Sequence, residues 1–138
     1  ATDDGNLATF SFYKSSYKSD YLSFVPIENE DRASQPLVAA SDAETTIWKK
    51  YTQQSFPFLY YGGQYVQTQV GFSDTDLSGL NWTQITADLK DPTSKIAKDI
   101  LGEANIDTAL ICKMTNQQPS AVCSASGLSA VSLPTASA

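Results

Sequence analysis

The sequence predicts an α/β domain, and three observations carry that prediction. Near the N-terminus, aromatic and aliphatic residues alternate with polar ones, which is the spacing of strands. A Gly62-Gly63 pair separates two aromatic or β-branched runs, the pattern of a hairpin. Further on, apolar residues recur at helical spacing behind residues that cap helices.

Taken in order, residues 1–8 read as polar loop. Phe10 and Phe12 alternate with polar neighbours, as do Leu22 and Phe24, so both segments read as strands with one buried face. Residues 14–20 (KSSYKSD) form a polar loop between them, and residues 28–36 (ENEDRASQP) an exposed acidic connector. Ser41-Asp42-Ala43-Glu44 fits a capping box, which predicts a helix over 42–53. Ile47 and Tyr51 share its inward face, and Lys49 and Lys50 sit where the helix dipole favours cations.

The predicted hairpin joins residues 56–61 to residues 64–70, with Pro57 restricted to a strand start or an edge. A second helix is expected to start near Asp76 and to carry Trp82, Ile85 and Leu89 on one face. Asp91 as a cap and Pro92 at the first helical position open a third helix over 92–113. Its inward residues are read as Ala97, Ile100, Leu101, Ala104, Thr108 and Ile111, and Gly102 weakens it by about 1 kcal/mol relative to Ala. Residues 1–123 are read as a single domain, and the Ser/Ala-rich residues 124–138 as a C-terminal tail.

At 138 residues and 41% hydrophobic, the chain can build one sizeable core. It has no histidine, so the commonest general base and metal ligand are both absent. The net charge is −6 and only 17% of residues are charged. Such a surface does not attract phosphate backbones or anionic lipid, so nucleic acid and membrane surfaces are not expected as partners. No apolar run is long enough to span a bilayer. The sequence opens on Ala1 without an initiator Met, a basic region or an apolar stretch, and reads as starting at a processed or trimmed terminus. Hydroxyl- and amide-rich polarity, which survives protonation of carboxylates, suggests a secreted or cell-surface protein.

Cys112 and Cys123 are the two cysteines, and an even pair in a secreted chain reads as a structural disulfide. No histidine or second cysteine pair completes a metal site, and no cofactor fingerprint is present, so neither a metal nor a cofactor is expected. Asp74 to Gly79 resembles the first half of a calcium loop, but Ile85 stands where the closing Glu belongs. That segment reads instead as a helix entrance with Leu77, Leu80 and Trp82 packed inward. Asn81-Trp82-Thr83 is a glycosylation sequon. The acidic cluster Glu28, Glu30 and Asp31 reads as a solvated loop, and no catalytic residue is assigned. Tyr13, Tyr17, Tyr21, Tyr60, Tyr61 and Tyr65 read as sheet faces and core edges.

A helix, a proline-initiated hairpin and a C-terminal helical region, in that order, resemble the second half of a thioredoxin-like fold. Residues 9–32 (TFSFYKSSYKSDYLSFVPIENEDR), IWKKY, FPFLYYGGQYV, LSGLNWTQI, LKDPTSKIAKDILGEAN and TALICKMTNQQPSAVC together resemble one family of thioredoxin-like proteins of unknown function, found mostly in heat- and acid-loving archaea. The likeness covers roughly residues 9–123. In that family an upstream segment supplies the first strand and a helix headed by Cys-x-x-Cys, and this chain resembles only the portion downstream of that segment. Pro57 matches the proline such folds hold in cis, which makes Phe56 and Pro57 the expected contact site. Cys112 lies late in a helix, where the dipole disfavours a thiolate, so no redox activity is carried over.

The resemblance also implies an open slot in the sheet. It would be filled by a separate fragment, by a strand from a neighbouring subunit, or by the N-terminal segment itself. The expectation is therefore a redox-inactive secreted domain with a structural or protein-interaction role. Two alternatives stand beside it: a portion of a larger thiol–disulfide oxidoreductase, and a subunit of an extracellular assembly completed by strand exchange.

Overall fold

The computed structural model describes residues 11–31, 33–129 and 131–133. The chain divides into two compact units, Ala1–Gln54 and Ser55–Ala138.

In the first unit, neither expected strand is formed among the described residues. Ser11 and Phe12, and residues 22–25, carry no strand structure, while Phe10 lies outside the described residues. Side chains take several backbone amides of this segment. Ser15 Oγ accepts the Tyr17 N–H at 3.2 Å, and Ser19 Oγ accepts the Tyr21 N–H at 3.1 Å. The Glu28 carboxylate takes the Phe12 N–H, together with the Ser11 hydroxyl at 2.6 Å. The Phe12 amide, which a ladder would need, is thus satisfied by a side chain, and the serine bonds shape the stretch between the two expected strands. Lys14, with a φ of 66°, turns the chain back within this segment. The aromatic rings then pack on one another: Phe24 meets Phe12 edge-on at 5.7 Å and Tyr17 at 6.1 Å.

The acidic connector is a tight loop. Leu37 N–H donates to the Asn29 carbonyl at 2.8 Å and Val38 N–H to the Glu28 carbonyl at 2.9 Å. Asp31 Oδ1 accepts the amides of Ala33 and Gln35 at 2.8 and 2.9 Å, closing the loop from inside. Helix α1 (Asp42–Thr52) follows behind the expected capping box. Glu44 N–H donates to Ser41 Oγ at 3.3 Å, and Ser41 N–H donates to Glu44 Oε2 at 2.7 Å. Gln53, in the left-handed region, ends the helix.

The second unit opens on the hairpin. Strands β1 (Leu59–Tyr61) and β2 (Tyr65–Gln67) pair antiparallel, with Tyr61 opposite Tyr65 and Leu59 opposite Gln67. Gly62 and Gly63 turn the chain at φ values of 55° and 76°. At Gly62 a side chain would be disfavoured twice over, by the positive φ and because a Cβ would lie 2.5 Å from Met114 Sδ, which would have to shift. A 3₁₀ turn (Asp74–Leu77) leads to α2 (Trp82–Lys90) and α3 (Lys95–Met114), and a last short helix, α4 (Ser120–Cys123), ends the helical region.

Both long helices start later than the sequence suggests. Asn81, not Asp76, caps α2, and Ser94, not Asp91, caps α3. Asp91 instead accepts the Thr93 amide and hydroxyl at 2.8 and 2.7 Å, forming the turn between the helices. Ser94 accepts from Ala97 N–H at 2.9 Å and donates to the Asp88 carbonyl at 2.8 Å, so one side chain caps α3 and holds the end of α2.

The core gathers Tyr61, Tyr65 and Leu110, with Leu59, Ile106, Ile111, Met114 and Leu133 packed against them. Ile96, Glu103 and Leu110, each two turns apart, line the buried stripe of α3. Of the residues expected inward, Ala97 is buried and Ile111 packs on the core, whereas Leu101 is 45% exposed and Ala104 is exposed, and Glu103 is buried in their place. Trp82, expected in the core, is also largely exposed, and Ile85 is the buried residue of α2. Residues 124–129, read as tail from composition, form successive turns after α4, and Leu133 reaches the core. No helix among the described residues is long and apolar enough to cross a membrane.

Candidate functional site

Two places in the second unit gather chemistry: the aromatic surface at the start of the hairpin, and a polar network beneath it. Phe56 precedes β1 and is 70% exposed, and the Phe56–Pro57 peptide bond is cis. Tyr60, on the outer face of β1, is 41% exposed, and its ring stacks near Phe58 at 6.4 Å. Strand alternation explains the division. Leu59 and Tyr61 turn toward α3 and the core, while Tyr60 turns away. Of the six tyrosines grouped by sequence, Tyr61 and Tyr65 are buried core, whereas Tyr17, Tyr21 and Tyr60 are exposed.

The polar network is not visible in the sequence. The Tyr61 hydroxyl lies 2.9 Å from both Gln67 Oε1 and Asp107 Oδ1. It has one proton for two acceptors, and the charged carboxylate is the stronger of them. Gln67 Nε2 donates to Glu103 Oε1, and the Gly71 amide donates to Glu103 Oε2 at 2.7 Å. Burial, then the hydrogen bond and negative charge of Asp107, push the Tyr61 hydroxyl well above its ordinary value, so it stays a neutral donor. The network ties β1, β2 and the chain after β2 to α3. Its members are spread over residues 61–107, and the one local signal is an acidic residue at the centre of the Ile96–Leu110 stripe.

Cys112 on α3 and Cys123 on α4 form the disulfide, with Cα atoms 5.5 Å apart. Cys112 is buried, and between the cysteines Gln117 N–H donates to the Cys112 carbonyl at 2.6 Å. Asn81 caps α2 on the surface. In the segment that resembles half of a calcium loop, Asp76 accepts from Ser73 N–H at 3.2 Å and from the Lys95 ammonium at 2.8 Å, and Lys95 also meets Asp99. Among the described residues, no group of three or more His, Cys, Asp and Glu side chains is placed to hold a metal ion. Glu28 and Asp31 of the acidic cluster organise the loops of the first unit.

Comparison with family models, curated proteins and solved structures finds no match to this chain.

Proposed function

We propose that this chain is an exported, disulfide-stapled α/β module with a structural or protein-interaction role, whose contact surface is the aromatic patch at Phe56, Pro57 and Tyr60. The observation that carries the reading is the exposure of two large aromatic side chains, Phe56 and Tyr60, at the start of a hairpin whose other face is core. Aromatic residues of this kind supply most of the binding energy where proteins meet. Export is supported by the Cys112–Cys123 disulfide, a bond that persists in oxidising compartments. The order of helix, proline-started hairpin and helices supports the resemblance to the C-terminal portion of a thioredoxin-like family. A redox-inactive role is supported by the position of both thiols. They are joined to each other, and Cys112 sits in the last turn of α3, where a thiolate is disfavoured.

The test is the native mass of the exported chain by light scattering, with denaturing, non-reducing mass analysis of the same sample. A mass above the 14.9 kDa of one chain, falling to it in a Phe56→Ser, Tyr60→Ser variant, is the expected result. A monomer that binds no partner would remove the reading. A second polypeptide carrying Cys-x-x-Cys in the sample would replace it with a portion of a larger thiol–disulfide oxidoreductase.

A further inference from the structure

The cap of α2 engages one half of a side-chain amide and leaves the other half open. Asn81 Oδ1 accepts the Gln84 N–H at 3.0 Å, and Gln84 Oε1 accepts the Asn81 N–H at 2.9 Å. A backbone donor facing the oxygen fixes the orientation of the amide, so Nδ2 points away from the helix. Nδ2 makes no hydrogen bond among the described residues, and neither does the Thr83 hydroxyl. Asn81, Trp82 and Thr83 are all exposed. They form the one Asn-x-Ser/Thr sequence in the chain.

We propose that Asn81 is a site of N-linked glycosylation, modified from a polyprenyl-pyrophosphate-linked oligosaccharide. Two polar atoms matter to that chemistry, the Asn nitrogen that becomes bonded to sugar and the hydroxyl two residues on that the transferase reads. They are the two that the fold leaves without hydrogen bonds. In the transfer, Nδ2 attacks the sugar C1. The Nδ2–C1 bond forms as the bond from C1 to the donor's phosphate oxygen breaks. The lipid pyrophosphate leaves, and one Nδ2 proton passes to a base of the transferase. No oxidation state changes. Oδ1 is untouched, so the glycosylated side chain still caps α2. The proposal rests on the exported reading, because the transferase and its lipid donor work on chains leaving the cytosol.

In the folded chain Trp82 and Thr83 lie in the first turn of α2. The finished glycan then lies beside Trp82, which is 49% exposed, and covers apolar surface there.

The test is secretion of the full chain, behind a cleavable leader, from a cell that glycosylates asparagine. The readouts are intact mass and peptide mapping, before and after peptide-N-glycosidase, which converts a glycosylated Asn to Asp. Wild type and Thr83→Ser are expected to carry sugar on the peptide containing residue 81. Asn81→Asp and Thr83→Ala are expected to lose it completely. Asn81→Asp keeps a capping oxygen, so it should retain the helix content and disulfide of the unmodified fold. Exported, disulfide-bonded wild type with an unmodified Asn81 would overturn the proposal. The exported reading fails on a different result: sugar on the secreted chain, but the chain of the source cell held with free thiols in a reducing compartment.

Discussion

Glu103 accepts the Gly71 amide at 2.7 Å from a buried position on α3, and with the same carboxylate accepts the side chain of Gln67. One acidic group thus satisfies a backbone donor beyond β2 and the amide of a strand residue. Glu103→Ala should cost about 1.5–3 kcal/mol, because it removes two hydrogen bonds to a charged acceptor, one from the half-buried Gln67 amide and one from the Gly71 N–H. Glu103→Gln should cost less, since its carbonyl still accepts one of the two. Urea denaturation of the three proteins checks this, and equal midpoints for all of them would show that the network adds nothing.

Gly62 is held by both its backbone conformation and its neighbour. Gly62→Ala should lower stability by about 1–3 kcal/mol, partly from the positive φ and partly from the clash with Met114 Sδ. The double variant Gly62→Ala, Met114→Ala should show the two effects as non-additive, with a coupling of about 0.5 kcal/mol or more. Additive losses would mean that the backbone conformation alone accounts for the cost.

Reduction of Cys112–Cys123 opens a loop with a sequence separation of 11. The unfolded chain regains conformational freedom, and stability should fall by about 2–3 kcal/mol. Thermal melts with and without reductant measure it. The Cys112→Ala, Cys123→Ala double variant should melt with the reduced wild type and be indifferent to reductant.

Acid should loosen the start of α1. Hydrogen bonds from the Ser41 hydroxyl and amide hold the Glu44 carboxyl below its ordinary value of 4.5. A carboxylate with a depressed folded value contributes stability that is fully present above the unfolded value. That contribution is lost as pH falls through the folded value. Glu28, held low by Ser11 and Phe12, and Asp91, held low by Thr93, act in the same direction. The thermal midpoint should therefore fall as pH drops below about 4.5. Glu44→Gln should flatten part of that dependence. Ser41→Ala should cost about 1 kcal/mol at neutral pH. A midpoint that does not change with acid would exclude these carboxylates as contributors.

Elements specified by neighbouring residues are legible in the sequence. Ser41 and Glu44 sit three residues apart and form the box their spacing implies. Gly62-Gly63 marks the hairpin, and two cysteines leave one pairing within the chain. Elements decided by competition are not legible. Phe12 and Phe24 have strand spacing, yet the Glu28 carboxylate takes the Phe12 amide that a ladder would need. The buried face of α3 differs from its apparent apolar stripe because Glu103 turns inward, and its partners Gln67 and Gly71 lie more than thirty residues away in the chain. Asp91-Pro92 and Ser94 both offer a helix start, and the bond from Ser94 to the Asp88 carbonyl decides between them. Of the candidate site, Phe56 and Pro57 could be singled out through a resemblance. Helix α4, at four residues, is too short to show a period.

Leu133 sits ten positions past the second cysteine, in a stretch whose composition marks it as dispensable, yet it packs on the cluster around Leu110. A protease that trims the Ser/Ala-rich end would leave both cysteines joined and every long helix intact. It would nevertheless uncover the interior. The shortened protein would pass a disulfide assay and a helix-content measurement while being softer and more adhesive than its parent. For this chain, the integrity of its far end is a better measure of a sound preparation than the state of its thiols.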